Sequence, residues 1–219
     1  MHSSVQKYKD IISSIKRKIE EQKIHTKPKV IAVSKTFKLE NILPLIEYGH
    51  QDFGENKVQE AIEKWSEIKI KKQNINLHLI GRLQTNKVKH AIKIFDYIHS
   101  VDSKKLLQKI ADEQEKQNKK LKLFIQVNIG DEEQKSGISI NQIEDLINFS
   151  KKLNLNIIGL MCIPPANEEP DKYFKEIKLL NKKFNLSEIS MGMSSDYLKA
   201  VENSSTYLRI GSSIFGQRS

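Results

Sequence analysis

The sequence predicts an α/β fold, a single (β/α)8 barrel of parallel strands preceded by one additional helix. Two observations carry this prediction. Short apolar runs such as Val30-Ile-Ala-Val33 and Leu121-Lys-Leu-Phe-Ile-Gln-Val-Asn128 recur eight times, and all but the last are followed by helix-compatible sequence. No stretch rich in proline, glycine or serine and no shift in composition divides the 219 residues, so one domain spanning 1–219 is expected. An open doubly wound sheet uses the same alternating units and is the structural alternative.

The elements follow in order. Val5 to Ile24 reads as an amphipathic helix, with Ile11, Ile12, Ile15 and Ile19 on one stripe. Lys29–Ser34 is the first strand, its continuous apolar run fitting a strand buried on both faces, and a helix follows near Leu39–Tyr48. A short strand at Gln51–Gly54 leads into a helix through Trp65, and Asn76–Ile80 into a helix around Gln84–Ile94. Tyr97–Val101 precedes a helix to about Gln117 that Asp102 or Ser103 would cap. Leu121–Asn128 is the clearest strand, followed by a helix at Ile140–Leu153. Asn156–Met161 is the sixth strand, with a Pro164-Pro165 loop and a helix near Tyr173–Phe184 behind it. Glu188–Met191 and Thr206–Ile210 are the last two strands, separated by a helix from about Ser195 to Glu202. Nine residues remain after Ile210, too few for a full closing helix. The helix within residues 1–24 is expected to pack over that gap.

Composition narrows the function classes. Hydrophobic residues make up 38% and charged residues 29%, as in soluble globular proteins. No apolar stretch is long enough to span a bilayer and the N-terminus lacks a signal-peptide pattern, so a cytoplasmic protein with no membrane partner is expected. The net charge of +10 raises nucleic acid as a partner, but 33 lysines accompany only four arginines, Arg17, Arg82, Arg209 and Arg218. Nucleic-acid sites favour arginine forks, so a solvated lysine surface is the expected role. The single cysteine, Cys162, cannot form an intramolecular disulfide and sits in an apolar run, as a small buried side chain. No spacing of His, Asp and Glu suggests a metal site, and no P-loop or nucleophile elbow is present.

Chemistry is expected where the first and last strands end. Lys35 closes the run Lys29-Val-Ile-Ala-Val-Ser34, where low-dielectric surroundings would disfavour its charged form and leave a nucleophilic amine able to form a Schiff base. The eighth strand ends in Arg209-Ile-Gly-Ser-Ser213 and the seventh in Ser190-Met-Gly-Met-Ser-Ser-Asp196. Barrel ligands meet the C-terminal ends of strands, and phosphate often sits after strands seven and eight. Gly211 would let backbone approach an anion, with Ser194 and Ser212 as hydroxyl donors. An ordinary strand-to-turn junction and a solvent-seeking lysine are the plainer readings of each segment alone. Barrel closure would set the amine beside the phosphate cradle, which points to pyridoxal 5′-phosphate (PLP).

Arg209 has two readings. Opposite a pyridine nitrogen it would disfavour the protonated ring that serves as an electron sink; alternatively it is a surface or phosphate-binding residue. Asn56, after the second strand, would hydrogen-bond a ring substituent or cap the next helix. His78 would face a flat ring or be a satisfied core histidine. Lys135, in the loop after strand five, would accept an aldehyde at the mouth or be a solvated lysine.

Several segments together resemble the pyridoxal phosphate homeostasis protein family. They are Ala32-Val-Ser-Lys-Thr36, Phe53-Gly-Glu-Asn-Lys-Val-Gln-Glu60, Leu77-His-Leu-Ile-Gly-Arg-Leu-Gln-Thr-Asn-Lys87, Gln126-Val-Asn128, Lys135-Ser-Gly137, Gly159-Leu-Met161, Ser190-Met-Gly-Met-Ser194 and Arg209-Ile-Gly-Ser-Ser-Ile-Phe-Gly216. The match runs in order from Val30 onward. The resemblance implies a PLP-binding barrel like the N-terminal domain of alanine racemase, with Lys35 as the Schiff-base lysine and Arg209 at the pyridine nitrogen. Ser194, Gly211 and Ser212 fall on its phosphate positions; Asn56 and His78 fall in its ring-side motifs. It further implies a monomer without established turnover and thus without catalytic residues, acting in vitamin B6 balance by buffering PLP or delivering it to PLP-dependent apo-enzymes. Arg82 replaces the proline expected in Ile-Gly-Pro-Leu-Gln, which would alter a loop and leave the site residues intact. The alternative is a fold-type III PLP enzyme such as an amino-acid racemase. The nine residues after strand eight leave no room for the β-rich domain that supplies the racemase's catalytic tyrosine, so one of two bases is expected to be missing.

Overall fold

Eight parallel strands close on themselves in chain order, β1 to β8, in a computed structural model that describes residues 2–217. Met1, Arg218 and Ser219 of the expected domain lie outside the described residues. The strands are β1 (Lys29–Val33), β2 (Asp52–Glu55), β3 (Asn76–Leu79), β4 (Tyr97–Val101), β5 (Lys122–Val127), β6 (Ile157–Cys162), β7 (Glu188–Ser190) and β8 (Tyr207–Ile210). The helices are α1 (Ser3–Glu21), α2 (Leu39–Glu47), α3 (Val58–Lys71), α4 (Val88–Ile94), α5 (Lys104–Gln117), α6 (Ile143–Lys152), α7 (Asp171–Lys183), α8 (Tyr197–Glu202) and α9 (Ser212–Phe215). Among the described residues no helix is long and apolar enough to cross a membrane. The closed ring excludes the open doubly wound sheet.

Closure is direct. Ile31 of β1 pairs with Arg209 of β8, and Ala32 with both Ile210 and Phe53. The register between β7 and β8 holds a single pair, Ser190 with Tyr207. Side chains reinforce that thin seam, with the Ile189 N–H donating to Thr206 Oγ1 at 2.7 Å and Ser205 Oγ donating to the Met191 carbonyl at 2.8 Å.

Apolar residues divide into two cores. The larger lies between strands and helices and includes Phe53, Trp65, Phe95 and Phe174, all fully buried. The smaller fills the barrel itself with Ile31, Tyr97, Phe124, Met161 and Tyr207. A buried Leu or Phe side chain stabilises by about 1.5–3 kcal/mol, so the outer core dominates the energetics.

The α1 helix turns Val5, Ile11 and Ile15 inward and lies against α2, α8 and α9. Lys18 of α1 reaches Glu202 of α8 at 2.9 Å. Because α9 has only four residues, α1 supplies the bulk of the layer outside the β8–β1 junction. Helix bounds differ in places from the periodicity reading, and two of the differences have a clear cause. The α3 helix continues past Trp65 to Lys71, because Ile68 keeps the buried stripe going. The helix expected from Gln84 begins with a 3-10 turn at Thr85–Lys87 and becomes α-helical only at Val88, its first buried residue.

Candidate functional site

At the C-terminal end of the strands a cavity of about 400 Å³ is lined by Lys35, Asn56, Ser194, Arg209, Gly211 and Ser212. Val33, Ile80, Ile163 and Met193 form much of its apolar wall. Six of the eight residues weighed from sequence therefore meet in one space, brought there by β1, β2, β7 and β8 and the turns that follow them.

The turn carrying Lys35 is held from below. Thr36 adopts φ +67°, a left-handed conformation that costs a β-branched residue on the order of 1–3 kcal/mol. Its N–H donates to Glu60 Oε1 at 2.6 Å. Ser34, one residue before the lysine, donates its hydroxyl to Glu55 Oε1 at 2.7 Å, and its carbonyl accepts from Lys64 Nζ at 2.9 Å. Lys64 and Trp65 Nε1 both donate to Glu55 Oε1 at 3.0 Å. Glu55 is wholly inaccessible to solvent. Burial raises its carboxyl above the ordinary value, and the Trp65, Lys64 and Ser34 donors only partly oppose that.

Arg209 projects from β8 into the barrel, 4% exposed. Its Nη1 donates to Ser190 Oγ at 2.7 Å and its Nη2 to the Cys162 carbonyl at 2.8 Å. The surface alternative for Arg209 is thereby excluded. Gly211, two residues on, lies so close to β1 that a Cβ there would approach Val33 Cβ to 3.2 Å and Val33 O to 3.3 Å. The N–H groups of Gly211 and Ser213 both donate to Ser194 Oγ at 3.3 Å, which binds the ends of β7 and β8 into one rim. Gly192 makes the Ser194 turn possible, since its φ of +90° and the 2.5 Å between a Cβ there and Ala200 Cβ exclude other residues.

Asn56 lines the cavity and does not cap α3, whose N-cap residue is Lys57, with no side-chain cap bond. Lys135 is half-buried in an adjoining space of about 310 Å³ that shares Asn56, Ile80 and Ile163 with the main cavity. There it pairs with Glu132 and donates to the Pro164 carbonyl at 3.1 Å.

His78 is placed elsewhere. Strand side chains alternate between faces, and the residue of this segment that lines the cavity is Ile80, just past the end of β3 and two positions on from His78. His78 lies one layer below, fully buried, stacked on Tyr97 with ring centroids 4.2 Å apart. Its ring nitrogens meet Asp52 Oδ1 at 3.1 Å and His99 Nε2 at 3.0 Å. His78 thus takes the place of a satisfied core histidine and does not line the cavity.

Comparison with known proteins agrees with this geometry. Residues 12–219 match the family model described as alanine racemase, N-terminal domain. A pyridoxal phosphate homeostasis protein of Aquifex aeolicus is 37% identical over 200 residues, covering 87% of each chain. The chain belongs to the pyridoxal phosphate homeostasis protein family. A solved structure similar to it is PipY of Synechococcus elongatus with PLP bound, at 30% identity and a TM-score of 0.80, covering 92% of this chain and all of PipY. Alanine racemase of Clostridium difficile shares the fold, with a TM-score of 0.70 at 14% identity, covering 95% of this chain and 57% of the racemase.

Within this member of the pyridoxal phosphate homeostasis protein family, several site-shaping residues were not legible as such. Ser34, Glu55 and Lys64 hold the lysine turn; Ser190 and His99 lie behind Arg209. Glu55 and Ser190 stood inside the matched segments, but nothing in their spacing marks them as partners of Lys64 and Arg209. The bonds span distant parts of the chain and exist only once the barrel closes.

Proposed function

We propose that this chain binds PLP in the cavity at the strand ends and serves the balance of that cofactor by holding and releasing it. The observation that carries the reading is the meeting of Lys35 with Arg209 and Gly211 in one cavity, across the strand pair that closes the barrel.

The donor set fits the cofactor. An amine, a guanidinium, a carboxamide and three serine hydroxyls line the space, with apolar side chains for the faces of a ring. The volume of about 400 Å³ suits a small ligand, within the usual range of about 300–1,000 Å³. At Gly211 any side chain would have to displace Val33 or enter the cavity. Lys35 would anchor the ligand through its amine, Ser194, Gly211 and Ser212 would receive the phosphate, Asn56 would meet a ring substituent, and Arg209 would meet the pyridine nitrogen. When bound, PLP supplies an aldehyde that condenses with an amine to a Schiff base, with loss of water.

Turnover is disfavoured by two features of the lining. An arginine at the pyridine nitrogen cannot accept a proton and opposes a positive ring, so carbanions would be poorly stabilised. Two-base racemisation needs a second proton acceptor across from the anchor, and among the described residues lining the cavity Lys35 is the only general-base candidate. A monomeric cytoplasmic protein that buffers PLP or delivers it to apo-enzymes is therefore preferred over a racemase. Titration with PLP is expected to give a visible band that Lys35→Ala abolishes without unfolding. Incubation with D- and L-alanine in deuterated water is expected to leave Cα unexchanged; rapid exchange would establish an enzyme instead.

A further inference from the structure

A file of hydrogen-bonded side chains crosses the barrel interior beneath the cavity. Asp52 Oδ1 lies 3.1 Å from His78 Nε2, and His78 Nδ1 lies 3.0 Å from His99 Nε2. His99 Nδ1 lies 2.8 Å from Ser190 Oγ, which lies 2.7 Å from Arg209 Nη1. Five strands contribute one member each: β2, β3, β4, β7 and β8. His78, His99 and Ser190 have no exposed surface, and His99 is clamped by stacking on Phe124 at 4.3 Å between centroids.

The two ends of the file dictate its direction. A guanidinium only donates, so Ser190 Oγ accepts from Arg209. The hydroxyl keeps a second lone pair, so it is the Asp52 end that sets where its own proton goes: to His99 Nδ1, the nitrogen left bare when both neutral rings donate toward the carboxylate. A ring nitrogen that accepts carries no proton, so neutral His99 holds its proton on Nε2 and donates it to His78 Nδ1. By the same step His78 is an Nε2–H tautomer donating to Asp52, whose carboxylate only accepts. Turning any one neutral link around would set two donors or two acceptors face to face in a dry interior, where an unmade bond is costly. Burial keeps both rings neutral, outweighing the opposing Asp52 carboxylate at His78 and reinforced by the Arg209 charge at His99.

We propose that Ser190, His99, His78 and Asp52 form a one-way positioning relay that fixes Arg209 as a permanent, cavity-facing hydrogen-bond donor. Every proton in it points from Arg209 toward Asp52. The relay cannot carry a proton into the cavity, because Arg209, its cavity-facing end, has no site to receive one. It also anchors one edge of the guanidinium while the Cys162 carbonyl anchors the other. The consequence for a pyridine nitrogen rests on the PLP reading above; the direction of the relay does not.

Nitrogen-15 NMR of histidine-labelled protein tests the direction without any cofactor. At pH 7.5, His78 and His99 are expected to show protonated Nε2 and unprotonated Nδ1. A ring found as the Nδ1–H tautomer, or as imidazolium, would overturn the relay. Ser190→Ala then tests its effect on Arg209: PLP affinity is expected to fall about tenfold with a shifted absorbance maximum, and Ser190→Thr to restore both. A folded Ser190→Ala protein with affinity and spectrum unchanged would also overturn it. Should Ser190→Ala fail to fold, the tautomers of the unaltered protein decide alone. Unaltered protein with the expected tautomers but no PLP binding would support the relay and sink the cofactor reading.

Discussion

Ser34 Oγ donates to Glu55 Oε1 at 2.7 Å in a place no solvent reaches, one residue before the lysine that lines the cavity. Two strand ends are thereby locked together, and Lys64 completes the lock by bonding both the Glu55 carboxylate and the Ser34 carbonyl. Replacing Glu55 by Ala would leave Lys64, whose side chain is only 9% exposed, facing a cavity instead of a carboxylate. Removing one partner of a buried ion pair costs about 3–5 kcal/mol. Urea denaturation is expected to show a loss near the lower end of that range, since Glu60 still pairs with Lys64.

The histidines make stability depend on pH. Burial lowers His50, His78 and His99 below the ordinary imidazole value. The unfolded chain takes up protons below about pH 6.5 that these folded rings refuse, so their stability is complete above that pH and declines as pH falls through their lowered range. Glu55, raised by burial, has the opposite sign: its contribution is present at low pH and lost as pH rises. The denaturation midpoint is expected to be lower at pH 5.5 than at pH 7.5. Glu55→Gln should make the fall steeper by removing the opposing group; a midpoint rising toward pH 5.5 would contradict the assignment of neutral rings.

Two glycines near the rim are expected to respond differently to alanine. Gly192 combines φ +90° with a Cβ position 2.5 Å from Ala200 Cβ, so Gly192→Ala should lose about 2–4 kcal/mol of stability. Gly211 has φ −120° and meets Val33 at 3.2 Å, so Gly211→Ala should fold with a smaller loss and weaken PLP binding more than it weakens the fold. Thermal melts beside PLP titrations separate the two effects.

Cys162 is fully buried, and burial pushes its thiol up to about 12. The folded protein is expected to resist iodoacetamide at pH 8 and to be alkylated only under denaturing conditions. Fast labelling of the native chain would mean that this end of β6 opens locally.

Much of this architecture was legible because its signals are local. A lysine after Val30-Ile-Ala-Val33 and a glycine after Tyr207-Leu-Arg-Ile210 each mark a strand end, and closure of the barrel joins them. His78 shows where local reading stops. Its strand was correctly placed, but layer depth decides whether a residue lines the cavity, and Ile80 holds the upper position. Depth depends on strand tilt and register across neighbours, which no single segment encodes. The Glu55–Lys64 lock and the Ser190–Arg209 bond were hidden for a related reason. Such polar pairs have no period in the sequence and become partners only when separate units pack.

The most direct test of the central claim is an absorbance spectrum of purified protein with PLP, before and after borohydride, followed by peptide mapping. The account predicts a visible band that bleaches on reduction and a single pyridoxyl group on Lys35. No band after PLP is added, or an adduct on a different lysine, would contradict it.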